Sequence, residues 1–442
     1  MTSTSLTDRT AHKHMLALAL PMILANITTP LLGLVDTAVL GHMDSSAMLA
    51  GASVGALILT QIYWVCGFLR MSATGLSAQA RGAQSDAVTQ SAAVLYQSMS
   101  IAMLLGLAVL LLQWPILQTG LLLASPADAV ASHLTAYFSV RVWGAPAAMA
   151  NLVLVGWLVG QQQTRTVLAI QIVGNVLNAA LDVLLVYGFD MSVGGVALAS
   201  VTAEYTMAVM ALVIALKKCH GIAPDPAWFN RAARKVLFAL NGNMLLRNLA
   251  LQLCLAFLTL KGARLGEVPA AVNAVLMQFF VLIALGLDGI AYAVEALVGE
   301  AKGARDERLI TEHTQRGLIW SSGFAVAYSA VFFVFGDVII ALLTEHKAIH
   351  EAAGAYLPLM VLLPLVGHWC FLFDGVFVGL TRSAAMRDTM LFSALVIYFP
   401  VWWLTAEHGN VALWYALLAF LLARGVSLGV VFVRLKRRHA LC

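Results

Sequence analysis

Two aspartates stand where a carboxylate is costly. Asp36 lies in "PLLGLVDTAVLG" and Asp182 in "QIVGNVLNAALDVLLVYG", stretches otherwise suited to lipid or to a packed helix. An Asp near the centre of a membrane helix costs about 2.5–3.5 kcal/mol on insertion scales, and such a cost marks an ion or substrate pathway. Gln171, Asn175, Asn178 and Asp182 are spaced 4, 3 and 4, which puts all of them on one helix face. Amides alone commonly hold membrane helices together. Continued by Asp182, the stripe reads as a cavity wall. Tyr137, Arg141, Thr202 and Glu204 fall at comparable depth in other runs, so the first-half polar set gathers in the outer half of the membrane. Desolvation favours the neutral form of a carboxylate, and a nearby cation such as Arg141 favours the charged form; the sequence leaves that balance open. In the second half Arg247, Asp288, Glu295 and Asp374 sit at mid-depth or further in, and they read as a structural ion cluster.

The elements that must position these groups are membrane helices. Of 442 residues 61% are hydrophobic and only 11% charged, and the mean hydropathy is +0.87. So few charges cannot cover a soluble surface of this size, so lipid is the main solvent. Long apolar runs without alternation exclude a barrel. We place twelve spans near 15–40, 47–71, 88–112, 130–157, 163–187, 193–216, 236–260, 270–299, 314–343, 351–379, 387–405 and 411–433. The first is too long for a signal-peptide core and reads as a retained span. Pro21 and Pro30 interrupt its backbone ladder, and Pro21 is the expected kink.

Most of the 26 Lys and Arg fall in loops on one side; only Lys261, Arg264 and Lys347 fall in loops on the other. Positive loops stay in the cytoplasm, which puts both termini inside. The basic tail reads as a juxtamembrane anchor rather than a nucleic-acid patch. Five scattered cysteines give neither a disulfide framework nor a metal site. Without His-Glu-x-x-His, Gly-x-Ser-x-Gly or a P-loop, and with His368 alone in its span, neither an enzyme nor a primary pump is indicated.

The chain repeats itself. "QARGAQ" at Gln79–Gln84 returns as "EAKGAR" at Glu300–Arg305, and Gly156-xxx-Gly160 returns as Gly375-xxx-Gly379. "VLGHM" (39–43) and "RLGEV" (264–268) open corresponding spans. A common order at a nearly constant offset means duplication. The expected layout is a cytoplasmic N-terminus (1–14), an N-lobe (15–216), a cytoplasmic connector (217–235), a C-lobe (236–433) and a basic cytoplasmic tail (434–442). At the positions matching Asp36 and Asp182 the second lobe carries Lys261 and Val401, so the chemistry belongs to the first.

These segments resemble the MATE (multidrug and toxic compound extrusion) family, in its bacterial DinF-like branch. The resemblance rests on Pro21 with "GLVDTAVLG", "VRVWGAPAAMANLVLVGWLVGQQ", "NVLNAALDVLLVYG", "GGVALASVTAEY", "GLDGIAYAVEALVGEAKGA" and "FDGVFVGLTR", and it runs over nearly the whole chain. It implies an all-α integral membrane protein of twelve helices in two pseudo-symmetric six-helix lobes. It also implies a secondary transporter exporting organic, often cationic, drugs in exchange for H⁺ or Na⁺ across the bacterial inner membrane, with no cofactor and no nucleic-acid partner. A monomer in the lipid bilayer is expected. By motif position Asp36 looks like the coupling carboxylate. Asn175, Asn178, Asp182 and Thr202 look like its neighbours, and Pro21 looks like the point where helix 1 bends. Tyr137, Arg141, Gln171 and Glu204 would support the cavity, and oxygens of Asp36, Asn178, Asp182 and Thr202 could equally ligate Na⁺. The alternative is a lipid-linked precursor flippase of related architecture, which would need a strongly cationic cleft.

Overall fold

A computed structural model describes residues 8–42 and 45–442, apart from the side chains of residues 29, 31, 32 and 34. The first seven residues of the expected N-terminal segment and Met43 of "VLGHM" lie outside the described residues. In lipid every backbone donor and acceptor must be satisfied within the chain, so apolar runs fold as continuous helices. They are α1 (Arg9–Gly41), α2 (Ser46–Gly82), α3 (Ala87–Leu111), α4 (Gln113–Ala124), α5 (Asp128–Gly160), α6 (Thr164–Gly188) and α7 (Val193–Lys218). There follow α8 (Arg231–Arg264), α9 (Glu267–Gly303), α10 (Glu307–Leu343), α11 (Lys347–Gly354), α12 (Leu357–Gly379), α13 (Ser383–Leu404) and α14 (Asn410–Arg437). Among the described residues eleven helices are long and apolar enough to cross a membrane. With 33 residues, α1 is long enough to make the twelfth.

The helices outrun the apolar segments that reveal them. The 37 residues of α9 span about 55 Å against a hydrocarbon core of about 30 Å. "QARGAQ" and "EAKGAR" thus begin on the polar ends of α2 and α9 rather than in free loops. The helix α2 is interrupted at Cys66–Gly67, between the stretches Ser46–Val65 and Phe68–Gly82.

The chain divides into two compact units, Leu24–Lys235, and Val236–Cys442 together with the residues up to Ile23. The sequence-derived lobe boundary at residue 15 did not anticipate that α1 is shared. Its first turns belong with the second unit for a visible reason: Trp320 Nε1 donates to His12 Nδ1 at 3.0 Å, and Ala19 and Ile23 pack where Gly289 leaves no side chain.

Each unit is built around the same helix pair. A Cβ at Gly160 would come within 2.6 Å of the Thr74 carbonyl oxygen, and one at Gly156 would meet that of Arg70. In the second unit Gly375 and Gly379 abut the carbonyl oxygens of Ala291 and Glu295 in the same way, each at 2.7 Å. Small residues let membrane helices pack backbone to backbone. A cation then caps each glycine-bearing helix. Arg81 Nη1 donates to Gln161 O at 3.3 Å, and Lys302 Nζ donates to Leu380 O at 2.5 Å. The turns repeat as well. Left-handed non-glycine residues occur at Asp86, Gln162 and His220, and again 219 positions later at Arg305, Thr381 and His439.

Replacing Gly160 or Gly379 with Leu therefore forces backbones apart and should cost about 1–3 kcal/mol or more. Gly242, with open space around its Cα, should accept Ala without loss. Thermal unfolding in detergent separates the two classes.

Candidate functional site

The site forms within the Leu24–Lys235 unit. The stripe on α6 projects as its spacing requires: Gln171, Asn175 and Asn178 line a cavity of about 380 Å³. The α1 segment beyond Leu24 adds Asp36, α2 adds Thr60, α5 adds Tyr137 and Arg141, and α7 adds Ser200 and Glu204. Asp182 lies at the end of the stripe, fully buried, immediately before a single π-helical turn at Leu184–Gly188. Such turns re-aim a helix locally and recur at functional sites.

The carboxyl groups of Asp36 and Asp182 converge on the Asn178 side chain. Asn178 joins the pair. We assign its amide with the nitrogen toward the acids, donating to Asp182 Oδ2 at 2.8 Å and Asp36 Oδ1 at 3.2 Å. Its oxygen then accepts from Ser200 Oγ at 3.1 Å and from Ser200 N at 3.3 Å, so the whole amide is satisfied. Asn175 Nδ2 donates to the Thr28 carbonyl at 3.3 Å, tying the stripe to α1. Gln171 Oε1, on the cavity wall, is buried without a protein donor among the described residues, which leaves an acceptor for cargo or solvent.

Opposite the acids stands a closed ion pair. Arg141 donates bidentately to Glu204, Nη1 to Oε2 at 2.8 Å and Nη2 to Oε1 at 2.5 Å. Its guanidinium also lies over the Tyr63 ring, 5.9 Å from the centroid. A 3₁₀ turn at Val142–Gly144 bends α5 here, and a Cβ on Gly144 would come within 2.5 Å of Glu204 Oε2. Tyr205 Oη fastens the same turn through the Trp143 carbonyl at 2.9 Å.

Two sequence-derived assignments change. Thr202 is exposed, its hydroxyl bonded to Leu198 O at 2.8 Å, because residues two apart on a helix face nearly opposite ways. Ser200, one turn before Glu204, supplies the hydroxyl instead; that four-residue spacing was the signal available in the sequence. Pro21 belongs with the other unit, about 22 Å along α1 from Asp36, and the helix runs unbroken through it and Pro30.

In the second unit two members of the expected ion cluster, Arg247 and Asp374, pair, and Arg424 joins them. Asp374 Oδ2 accepts from Arg247 Nη2 at 2.5 Å and also from Arg424 Nη2. Glu295 is buried elsewhere, on the face of α9 that packs against Gly379. Where the repeat would put a counterpart of the carboxyl pair, Lys261 Nζ lies 5.3 Å from the centre of the Trp402 ring. Phe257 meets Tyr398, Phe399 and Trp402 edge-to-face nearby. An aromatic plug has replaced the polar pocket.

Two helical repeats long and apolar enough to span a membrane, with a carboxyl group facing a cavity inside one of them and a second buried beside it, define a membrane transporter. The MatE family model matches residues 21–184 and 244–404, and the chain belongs to that transporter family, which is not one of enzymes. It is 44% identical to DNA damage-inducible protein F of Escherichia coli over 432 residues, 96% of this chain and 91% of that one. A probable multidrug resistance protein NorM of Thermotoga maritima is 25% identical, covering 88% of this chain and 83% of its own. Among solved structures, a MATE protein in a bent conformation superposes with a TM-score of 0.86 at 16% identity, covering 97% of each chain. The Vibrio cholerae MATE transporter VcmN gives 0.84 at 19% identity over 98% of each. These similarities establish the twelve-helix fold.

Proposed function

We propose that the protein is a secondary multidrug antiporter that exports organic, often cationic, compounds in exchange for H⁺ held at Asp36 and Asp182. One observation carries the reading: two carboxyl groups brought together on the Asn178 amide, beside a cavity large enough for small molecules. Two carboxylates so close repel, so the pair retains a proton between them. An organic cation entering the cavity supplies the same neutralising charge. Proton and cargo therefore exclude one another, and mutual exclusion at one site is the thermodynamic core of exchange. Because Asp36 is on α1 and Asp182 on α6, loss of the shared proton also biases how these helices meet.

Na⁺ is the weaker reading. Thr202, one of the oxygens a Na⁺ site would need, is exposed and its hydroxyl is bonded to Leu198 O. A flippase for a lipid-linked pyrophosphate would want uncommitted cations, whereas Arg141 is held by Glu204. The names of relatives such as NorM support drug-like cargo. The positive-inside pattern supports both termini in the cytoplasm, and the bacterial relatives support an inner-membrane location. We retain a monomer of two lobes, the first ending at residue 216 and the second at 236–433 joined by the start of α1.

The test is export of a cationic dye from proteoliposomes under an imposed pH gradient or an imposed Na⁺ gradient. We expect the pH gradient alone to drive export. Movement driven only by Na⁺ would replace the proton by a metal ion, and movement under neither would overturn the antiporter.

A further inference from the structure

A groove of about 780 Å³ lies on the second unit, away from the carboxyl pair and unused by the exchange just described. Leu318 of α10, Trp369 and Phe373 of α12, and Val426 and Val430 of α14 make an apolar bed. Gly425 and Gly429 let α12 pack closely on α14, a Cβ at Gly425 coming within 2.5 Å of Trp369 Cβ and one at Gly429 within 3.3 Å of the Phe373 ring. Trp369, Val426 and Val430 are 42, 54 and 44% exposed, an open apolar surface on membrane-spanning helices that suits an acyl chain. From Leu422 to Arg434 it follows α14 for about 18 Å, close to one leaflet of a hydrocarbon core of about 30 Å. At its end stand Arg434, Lys436 and Arg437, all exposed, and no carboxylate is among the lining residues.

The first unit fills the matching place with protein. Gln315, on the groove wall, lies 219 positions after Tyr96. Trp228 of the connector stacks on Tyr96 with 6.1 Å between centroids, and Tyr96 Oη donates to Ile222 O at 3.0 Å. Gln97 Nε2 donates to Trp228 O at 2.6 Å. In the second unit residues 440–441 are held elsewhere, Arg382 Nη2 donating to Ala440 O and Leu441 N to Glu307 Oε1.

We propose that this groove binds an anionic phospholipid, with one acyl chain along α14 and the headgroup phosphate against Arg434, Lys436 and Arg437. Phosphate suits the forked guanidinium groups and the lysine alike, and an acyl chain suits the bed. Juxtamembrane cations of this kind attract anionic headgroups. An organic cation would be repelled by the rim, and a zwitterionic lipid would leave its charges uncompensated.

The full chain is purified in mild detergent from membranes holding phosphatidylglycerol and phosphatidylethanolamine, and retained lipid is counted by native mass spectrometry. Wild type should retain phosphatidylglycerol selectively. Arg434→Gln, Lys436→Gln and Arg437→Gln together should lower that retention by about tenfold or more. Val430→Trp fills the bed with every charge intact and should lower it too. Lys217→Gln with Lys218→Gln, at the exposed end of α7, should leave it unchanged. Added phosphatidylglycerol should raise the melting temperature of wild type and not of the rim variant, which also verifies that the variant folds. Equal retention of both lipids, wild-type retention by the Val430 variant, or an equal loss in the Lys217/Lys218 variant would each overturn the proposal.

Discussion

Asn at position 36 should reduce gradient-driven dye export to the level of empty liposomes while the protein still folds. The substitution keeps shape and hydrogen-bonding capacity and removes one titrating group from a pair that works only as a pair. Asp182→Asn should have the same effect, because in the proposed exchange each acid holds the proton through the other. Neither change should lower the melting temperature, since a buried negative charge is exchanged for a neutral amide whose NH₂ can donate to the remaining acid. Export assays in proteoliposomes beside thermal melts in detergent provide the check. Wild-type export by either variant would remove coupling from this pair.

Arg141→Met should be the most destabilising change in the same cavity, by about 3–5 kcal/mol, because it strands the Glu204 carboxylate in a site only 16% exposed. Glu204→Leu should cost a similar amount by stranding the guanidinium. The double variant should recover most of the loss, since an apolar pair of similar volume leaves nothing unpaired. A double-mutant cycle on chemical unfolding in detergent measures this directly. Additive losses would show that the two residues act separately despite the bidentate contact. Export by the stable double variant then reports whether the pair has a role in cargo binding besides support.

Much of this was legible in the chain because membrane proteins write their constraints in one dimension. Lipid leaves helices as the economical solution, so span number follows from apolar length. The spacing of Gln171, Asn175 and Asn178 matches the cavity wall they line, since helical periodicity converts spacing into direction, while Asp182 at the end of the stripe is buried behind it. The same periodicity, applied to "GGVALASVTAEY", distinguishes Ser200 and Glu204 from Thr202 once one of them is known to face inward; without an anchor the absolute phase is free. Partners across helices were less visible. That Arg141 meets Glu204, and that Arg424 joins Arg247 on Asp374, depends on how helices distant in sequence lie together. The sharing of α1 was hidden for a related reason: its decisive contacts, His12 with Trp320 and Ile23 with Gly289, look unremarkable as residue types.

The left-handed residues at Asp86, Gln162 and His220, and again at Arg305, Thr381 and His439, point backward in time. Each L-residue in that conformation carries a penalty of about 1–2 kcal/mol, so independent chains would seldom converge on three such corners at an identical interval. Two of the three pairs no longer share a side chain, yet the corners persist. What descended from the common forebear is the route of the main chain, and that forebear was a half-length polypeptide able to associate with its own kind. Along that shared route the second unit now carries rings around Phe257 and Trp402, while the first carries the acids.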